Sequence, residues 1–237
     1  MREWLDALVA VLLAPTCAAC GQLLLHPTRG CICPFCWASI VRLAFPLCDR
    51  CGDSLPRDTP VRLCPHCTRA STVVTRARAI GSYAGCLRDV VHALKYDGRR
   101  SVAAPLAALM REAAPEIVGA CEVTVPVPLH PARRRERGFN QAADLAWHLG
   151  LPLVHALRRI RRTTTQTALP ARERHANVAG AFTVTRRGRQ LRGRAVLLVD
   201  DVRTTGATLD ACAEALLNAG VREVCAVTAA RVATPGS

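Results

Sequence analysis

Apolar runs in the last third of the chain predict alternating strands and helices. Ala195–Val199 is a continuous apolar run, which is typical of a strand buried on both faces of a parallel sheet. Thr208–Ala219 is predicted as a helix, with Gly220 placed to end it. Val224–Ala229 is predicted as the next strand. A strand, a helix and a strand at this spacing indicate a βαβ unit, and therefore an α/β domain with a central parallel sheet.

Shorter patterns lie upstream of this unit. They predict, in chain order, helices over Val90–Leu94 and Val102–Met110, a strand over Glu122–Val127 and a helix over Asn140–Leu149. Near the N-terminus, four apolar residues at helical spacing predict a short amphipathic docking helix: Leu5, Leu8, Val9 and Leu12. Glu3 and Asp6 interrupt this segment and no basic region leads it, so we expect neither a signal peptide nor membrane insertion. The expected location is the cytoplasm.

Cysteine spacing sets the N-terminal part of the chain apart. Two CxxC pairs are separated by twelve residues, and the whole arrangement recurs 31 residues further on. The eight cysteines involved are Cys17, Cys20, Cys33, Cys36, Cys48, Cys51, Cys64 and Cys67. In a reducing compartment such cysteines serve as metal ligands or free thiols more often than as disulfides. Four CxxC turns at matched spacing predict two structural Zn²⁺ sites, which as all-cysteine sites leave no open position for a substrate.

We assign one zinc ion to the cysteines between Cys17 and Cys36 and the other to those between Cys48 and Cys67. Crossed pairing between the two repeats is the alternative. A segment with so little core needs the metal in order to fold. We therefore divide the chain into an N-terminal helix and double zinc ribbon over residues 1–70 and an α/β domain over residues 71–237.

The chain is strongly basic, with a formal net charge of +14. Between His130 and Arg194, fifteen arginines stand against only three acidic residues, whereas Lys95 is the only lysine of the chain. A solvated basic surface is one interpretation. Because arginine pairs bidentately with phosphate, a pyrophosphate substrate or a nucleic acid is the other. Aromatic residues make up 4% of the chain, which disfavours a stacking platform for single strands.

The segment Val196–Thr208, VLLVDDVRTTGAT, combines a strand with an acidic pair and a threonine-rich turn. The acidic pair follows the predicted strand at its carboxyl end, where open α/β sheets bind ligands. Paired carboxylates suit hydroxyl donors such as those of a ribose, whereas the amides of the turn and the helix N-terminus suit a phosphate. The candidate binding residues are Asp200, Asp201, Val202, Arg203, Thr204, Thr205, Gly206, Ala207 and Thr208. A strand that ends in an acidic, threonine-capped turn without a ligand is the alternative.

This segment resembles the phosphoribosyl pyrophosphate (PRPP) loop of type I phosphoribosyltransferases. Nearly the whole chain resembles the ComF/GntX family of bacterial competence-associated proteins. The wider resemblance rests on VPVPLHPARRRERGFNQA at Val125–Ala142, on spaced residues from Arg161 to Phe182, on His92–Tyr96 and on the double CxxC module. It implies a type I phosphoribosyltransferase fold with a central parallel sheet, joined to a small zinc-ribbon domain.

The resemblance also implies roles for individual residues. Asp200 and Asp201 would be the catalytic pair that orients the ribose of PRPP, and residues 204–208 would hold its 5′-phosphate. A loop after Val125–Pro128 would bind pyrophosphate through four arginines: Arg133, Arg134, Arg135 and Arg137. For Arg137 we favour this role over the alternative of a basic surface without a ligand. Arg161–Asn177 would form or flank a mobile catalytic loop, although Gln166 and Asn177 also suit turn or cap positions. Mg²⁺ would bridge pyrophosphate oxygens of PRPP.

The implied activity is a Mg²⁺-dependent phosphoribosyl transfer in a protein that serves DNA uptake in natural transformation, or DNA utilisation. The acceptor is left open. Two alternatives remain at this point: a cytosolic competence factor that binds single-stranded DNA, and a regulator that senses PRPP without catalysis. The candidate partners are accordingly PRPP, single-stranded DNA and other competence proteins.

Overall fold

A central parallel sheet organises the computed structural model, which describes residues 2–58, 60–69, 72–161 and 178–232. Strands β1 (Ala77–Ser82), β2 (Val123–Pro126), β5 (Ala195–Arg203) and β6 (Glu223–Arg231) form this sheet in the order β1-β6-β5-β2. All three pairings in it are parallel. Strands β3 (Leu157–Arg159) and β4 (Phe182–Val184) form a separate antiparallel pair.

Helices surround this sheet and the zinc-ribbon region. Along the described residues they are α1 (Arg2–Leu13), α2 (Pro34–Ala38), α3 (Pro65–Arg69), α4 (Gly85–Tyr96), α5 (Ala103–Ala113), α6 (Pro115–Ala120), α7 (Pro131–Arg137), α8 (Gln141–Trp147), α9 (Arg186–Arg189) and α10 (Ala207–Asn218). Short 3₁₀ turns lie at Pro27–Arg29 and Arg100–Val102. Within the part of the chain that the structure describes, no helix is long and apolar enough to cross a membrane.

Alternate side chains of the central strands enter two different cores. Leu197 and Val199 of β5 pack with residues of α4, α5 and α8 on one face of the sheet. Val196 and Leu198 pack on the other face with α10 and with the β3–β4 pair. Because helices cover both faces, the strand between them is apolar at every position from Ala195 to Val199. The predicted α/β class with a central parallel sheet is confirmed.

The boundaries of the elements correct several predictions. Strand β5 continues four residues beyond the predicted end at Val199, so Asp200 and Asp201 belong to the strand instead of following it. This happens because the pairing with β6 continues through Arg203 and Arg231. Strand β1 and the β3–β4 pair were not predicted at all. Helix α10 is shifted by one residue at each end, and Gly220 follows it with a φ of 93°.

The N-terminal helix is present, but its predicted mode of docking is wrong. Its apolar residues Leu5, Leu8 and Leu12 are each at least half exposed. Instead, the carboxylate of Asp6 is buried and accepts hydrogen bonds from the backbone N–H and the hydroxyl of Thr28, at 2.9 and 2.7 Å. Helix α1 is therefore attached to the first zinc repeat by a polar contact.

The two zinc repeats are seated differently on the α/β domain. Leu24, Ile32 and Cys36 of the first repeat join the core that contains α4 and α5. The second repeat has a small core of its own around its four cysteines and Leu55. It meets the sheet at β1, where the N–H of Ala77 donates to the carbonyl of Arg50 at 2.6 Å.

Candidate functional site

The eight CxxC cysteines form two clusters, each drawn from one repeat. The thiols of Cys17, Cys20, Cys33 and Cys36 lie within 4.8 Å of one another, and so do those of Cys48, Cys51, Cys64 and Cys67. Four sulfurs at this separation suit the tetrahedral sphere of Zn²⁺. The predicted pairing within each repeat is the one that the structure has, and crossed pairing is not formed. The chain thus carries two zinc-binding sites, each made of four cysteines.

Hydrogen bonds around the sulfurs repeat along with the sequence. The N–H of Cys33 donates to Sγ of Cys17, and the N–H of Cys64 donates to Sγ of Cys48, both at 3.3 Å. Burial opposes ionisation of the Cys48 thiol, but N–H donors, foremost that of Cys51, outweigh it and lower its pKa to about 7. The N–H groups therefore favour the thiolate form, which is the form that binds zinc.

The acidic pair lies at the carboxyl end of β5, beside the end of β2. Oδ1 of Asp201 is 2.8 Å from Nζ of Lys95, the last-turn residue of α4, and both side chains are largely buried. Oδ2 of Asp201 is buried and has no hydrogen-bond partner in the described residues. A buried carboxylate oxygen of this kind suits a hydroxyl donor supplied by a ligand.

The neighbouring Asp200 has a different electrostatic environment. Its Oδ1 accepts a hydrogen bond from the N–H of Asp201 at 2.9 Å. Burial, and next the negative charge of Asp201, raise the pKa of Asp200 to about 7. Lys95 and Arg159 partly offset this rise. The two carboxylates are thus unequal, since only Asp201 has a direct cationic partner among the described contacts.

Lys95 and Arg159 are residues that the sequence analysis missed as members of the site. Lys95 was noted only as the sole lysine of the chain, within the His92–Tyr96 segment. Arg159 ends β3, where its guanidinium lies 5.4 Å from the centre of the Phe182 ring and interacts with the charge of Asp200. An isolated lysine in an arginine-rich chain was a usable signal for the first, but no local pattern distinguishes Arg159 from its neighbours.

The threonine-rich turn connects β5 to α10. Gly206 precedes the helix with a φ of 89°, in the left-handed region that glycine tolerates best. The N–H of Ala207 donates to the hydroxyl of Thr205 at 3.4 Å. Thr204, Thr205 and Gly206 are partly exposed, so the turn and the N-terminus of a twelve-residue helix are accessible to an anion.

Arg203, predicted as a binding residue, turns its side chain away to the second zinc repeat. Its Nη2 lies 2.5 Å from Oδ1 of Asp53, and Nη1 of Arg231 lies 2.7 Å from the same oxygen. The guanidinium of Arg203 is therefore engaged within the protein. What Arg203 can offer to a ligand is its backbone.

The arginine-rich segment after β2 is a helix, which corrects the loop that the resemblance implied. His130 caps α7 by accepting the N–H of Ala132, and Pro131 occupies its first turn. Nη1 of Arg137 donates to Oε1 of Gln141 at 2.6 Å, and its guanidinium lies 5.1 Å from the centre of the Tyr96 ring. Tyr96 follows Lys95 in the last turn of α4, so Arg137 contacts the helix end that also carries Lys95.

Other predicted residues have a less direct relation to the site. Arg133 is exposed and electrostatically coupled to Arg159, whereas Arg134 and Arg135 are exposed on α7. The implied catalytic loop Arg161–Asn177 lies outside the described residues, except for Arg161, whose guanidinium donates to the carbonyl of Ala179.

A cleft of about 290 Å³ separates the second zinc repeat from the threonine-rich turn. Its lining comes from the zinc repeat, from the segment before β1 and from the start of α10: Arg50, His66, Val74, Thr204, Gly206 and Leu209. His66, which lies between Cys64 and Cys67 in a CxxC turn, therefore faces the same cleft as the threonine-rich turn. The zinc module is thus a neighbour of the candidate site.

Comparisons with known proteins match this architecture. A phosphoribosyl transferase domain model matches residues 135–235, and a double zinc ribbon domain model matches residues 8–71. Competence protein F of Haemophilus influenzae is 38% identical over 108 residues, which are 44% of this chain and 47% of that protein. DNA utilization protein YhgH of Escherichia coli K12 is 35% identical over 162 residues, 63% of this chain and 69% of that protein. Competence protein ComFC of Bacillus subtilis is 39% identical over 98 residues, 41% of this chain and 39% of that protein.

The fold and the two cysteine clusters define a type I phosphoribosyltransferase domain combined with a double zinc ribbon. The chain belongs to the ComF family, as its resemblance to that family predicted. The match spans about half the length of the Haemophilus relative and about two thirds of the Escherichia coli relative.

Proposed function

We propose that this chain binds PRPP at the carboxyl ends of β2 and β5 and transfers its phosphoribosyl group to an acceptor. The observation that carries the proposal is the buried Oδ2 of Asp201, which has no hydrogen-bond partner among the described residues. Asp201 follows Asp200 and lies three residues before Thr204, where the partly exposed turn begins. A ribose phosphate supplies hydroxyl donors and an anion at this spacing.

In this proposal each group has a defined task. Asp200 and Asp201 accept hydrogen bonds from the ribose hydroxyls, and the turn from Thr204 to Thr208 holds the 5′-phosphate through its N–H groups and hydroxyls. Lys95 compensates the charge of Asp201 and brings a cation to the sheet ends. Arg137 and Arg159 would supply positive charge to the leaving pyrophosphate.

Transfer breaks the bond between ribose C1 and the pyrophosphate oxygen, and the electron pair leaves with pyrophosphate. A bond from the acceptor to C1 replaces it, and an N–H acceptor releases its proton to solvent. Mg²⁺ bound together with PRPP would neutralise the negative charge of the leaving pyrophosphate. The chain contributes position and charge.

The biological setting in the proposal is DNA uptake or DNA utilisation in the cytoplasm. It is motivated by the three relatives named above, two of which are competence proteins and one a DNA utilization protein. We retain residue 70 as the boundary between the zinc module and the phosphoribosyltransferase domain.

Release of pyrophosphate from PRPP and Mg²⁺, measured over a panel of nucleobases, tests the transfer step. We expect at least one base to stimulate release, and Asp200→Asn/Asp201→Asn to abolish it. Asp89→Asn is the matched control, since Asp89 is an acid on α4 outside the site. If no base stimulates release although PRPP binds, transfer to a nucleobase is excluded and a PRPP sensor is favoured.

A second candidate function is binding of single-stranded DNA, and one arrangement favours it. Partial burial, and next the positive charges of Arg134 on α7 and Arg187 on α9, lower the pKa of His155. Two exposed helices thus present arginines to one surface. The test is binding of a labelled oligonucleotide at increasing salt, where counterion release predicts a steep loss of affinity. Absence of binding at low salt contradicts this function.

A further inference from the structure

Each zinc repeat begins with a CxxC turn, called a knuckle below, that is closed by the same backbone hydrogen bond. The two knuckles differ at the residue whose carbonyl accepts this bond. The N–H of Cys17 donates to the carbonyl of Gln22, and in the second repeat the N–H of Cys48 donates to the carbonyl of Asp53, both at 2.7 Å. Gln22 and Asp53 are therefore equivalent residues, 31 positions apart. Gln22 is exposed, whereas Asp53 is buried. Gln22 therefore serves as an internal comparison for the contacts that the Asp53 side chain makes in the second repeat.

The carboxylate of Asp53 joins the ends of two central strands. Its Oδ1 accepts a hydrogen bond from Arg203, the last residue of β5, and forms an ion pair with Arg231, the last residue of β6. These arginines are partners in the register of the two strands. Thr204, the first residue of the threonine-rich turn, follows Arg203 directly. The buried carboxylate of Asp53 thus fixes the position of Arg203, directly before the threonine-rich turn.

The second repeat is itself held firmly against β1. The guanidinium of Arg78 donates to the carbonyls of Cys48 and Asp49, both at 3.2 Å. A Cβ added to Gly52 would lie 2.7 Å from the carbonyl oxygen of Ala77, whereas one added to the equivalent Gly21 would meet nothing within 4 Å. The position of the Asp53 carboxylate is therefore set by the knuckle that its own carbonyl helps to close.

We propose that Asp53 is a positioning residue for the PRPP site, and that zinc in the second repeat controls PRPP affinity through it. This inference rests on the proposed function. Zinc at the second cysteine cluster orders the knuckle, the knuckle places Asp53, and Asp53 holds the strand ends that carry the turn. Because such coupling is reciprocal, bound PRPP slows the loss of zinc from the second cluster and leaves the first cluster unaffected.

The first experiment compares Asp53→Asn with Gln22→Ala, which alters the equivalent residue of the other repeat. Both proteins are loaded with zinc, their metal content is measured, and PRPP with Mg²⁺ is titrated by calorimetry. We expect Asp53→Asn to bind PRPP about tenfold more weakly, the effect of losing one charge-assisted contact. Gln22→Ala keeps the wild-type affinity. Equal affinity of Asp53→Asn and the wild type overturns the inference.

The second experiment needs no variant and follows zinc release from the wild type to a chromogenic chelator. With saturating PRPP and Mg²⁺, one of the two zinc ions is released several times more slowly and the other at an unchanged rate. A PRPP effect on neither ion, or on both equally, contradicts the inference. If the wild type binds no PRPP in the calorimeter, both the proposed function and this inference fail. If the wild type and Asp53→Asn bind PRPP equally, only this inference fails.

Discussion

Nζ of Lys95 lies 2.8 Å from Oδ1 of Asp201, so that the end of α4 is joined to the end of β5 by an ion pair. Burial favours the neutral amine, but the charges of Asp201 and Asp200 outweigh it and raise the pKa of Lys95. Lys95 thereby supplies a cation to one oxygen of the Asp201 carboxylate, whereas the other oxygen has no partner in the described residues. The pair prepares one carboxylate of the site to accept hydrogen bonds.

Replacing Lys95 by methionine leaves the carboxylate of Asp201 buried without its cation. Removing one partner of a buried ion pair is strongly destabilising, and we expect a loss of about 3 kcal/mol in the free energy of unfolding. Urea unfolding measures this loss, with Arg99→Met, at an exposed position of the next loop, as the control. A Lys95→Met protein as stable as the wild type would show that the ion pair does not form.

The raised pKa of Asp200 predicts a pH dependence of stability. In the folded protein this pKa is about 7, against an ordinary value of 3.8, so the folded state binds the proton more tightly than the unfolded state. Protonated Asp200 therefore stabilises the protein fully below pH 4, and this contribution is lost as the pH rises through 7. Asp200→Asn removes that loss, because asparagine stays neutral.

Between pH 5 and pH 8, Asp200→Asn should therefore gain about 2 kcal/mol in its free energy of unfolding relative to the wild type. This is about half of the free energy that corresponds to the full pKa shift of Asp200. Urea unfolding of both proteins at several pH values checks this. Parallel stability profiles for the two proteins would contradict the assigned pKa. PRPP affinity of the wild type should rise over the same range, since the ionised carboxylate accepts the ribose hydroxyls.

Gly206 tests the geometry of the threonine-rich turn. Its φ of 89° is unfavourable for alanine, although a Cβ there would meet only Oδ2 of Asp210, at 3.8 Å. Gly206→Ala should therefore lower the unfolding free energy by about 1 kcal/mol through backbone strain, and weaken PRPP binding. Gly119→Ala is the matched control, since Gly119 lies within α6 in open space. If both substitutions have the same effect on thermal unfolding, the turn does not require glycine.

The central βαβ unit and the zinc clusters were predictable because their signals are local. A doubly covered strand is apolar at every position, and a four-thiolate site needs two closely spaced pairs of cysteines. Strand β5 was predicted too short because its last four residues are polar or partly exposed. They stay in the strand through pairing with β6, which is a long-range effect.

Other parts of the site depend on contacts between distant segments. Asp53 and Arg203 are 150 residues apart, and no pattern around either residue indicates their ion pair. The same holds for Lys95 and Asp201, which join helix α4 to strand β5. Leu5, Leu8 and Leu12 predicted an apolar docking surface, but the contact is made by Asp6, because a buried carboxylate with three nearby donors fixes the helix.

Calorimetric titration with PRPP, in the presence and absence of Mg²⁺, tests the central claim most directly. The wild type should bind one PRPP per chain, more tightly with Mg²⁺. The double variant Asp200→Ala/Asp201→Ala should show no measurable binding while it keeps two zinc ions per chain. Equal binding of PRPP by the wild type and the double variant, or no binding by the wild type, would contradict the assignment of this site.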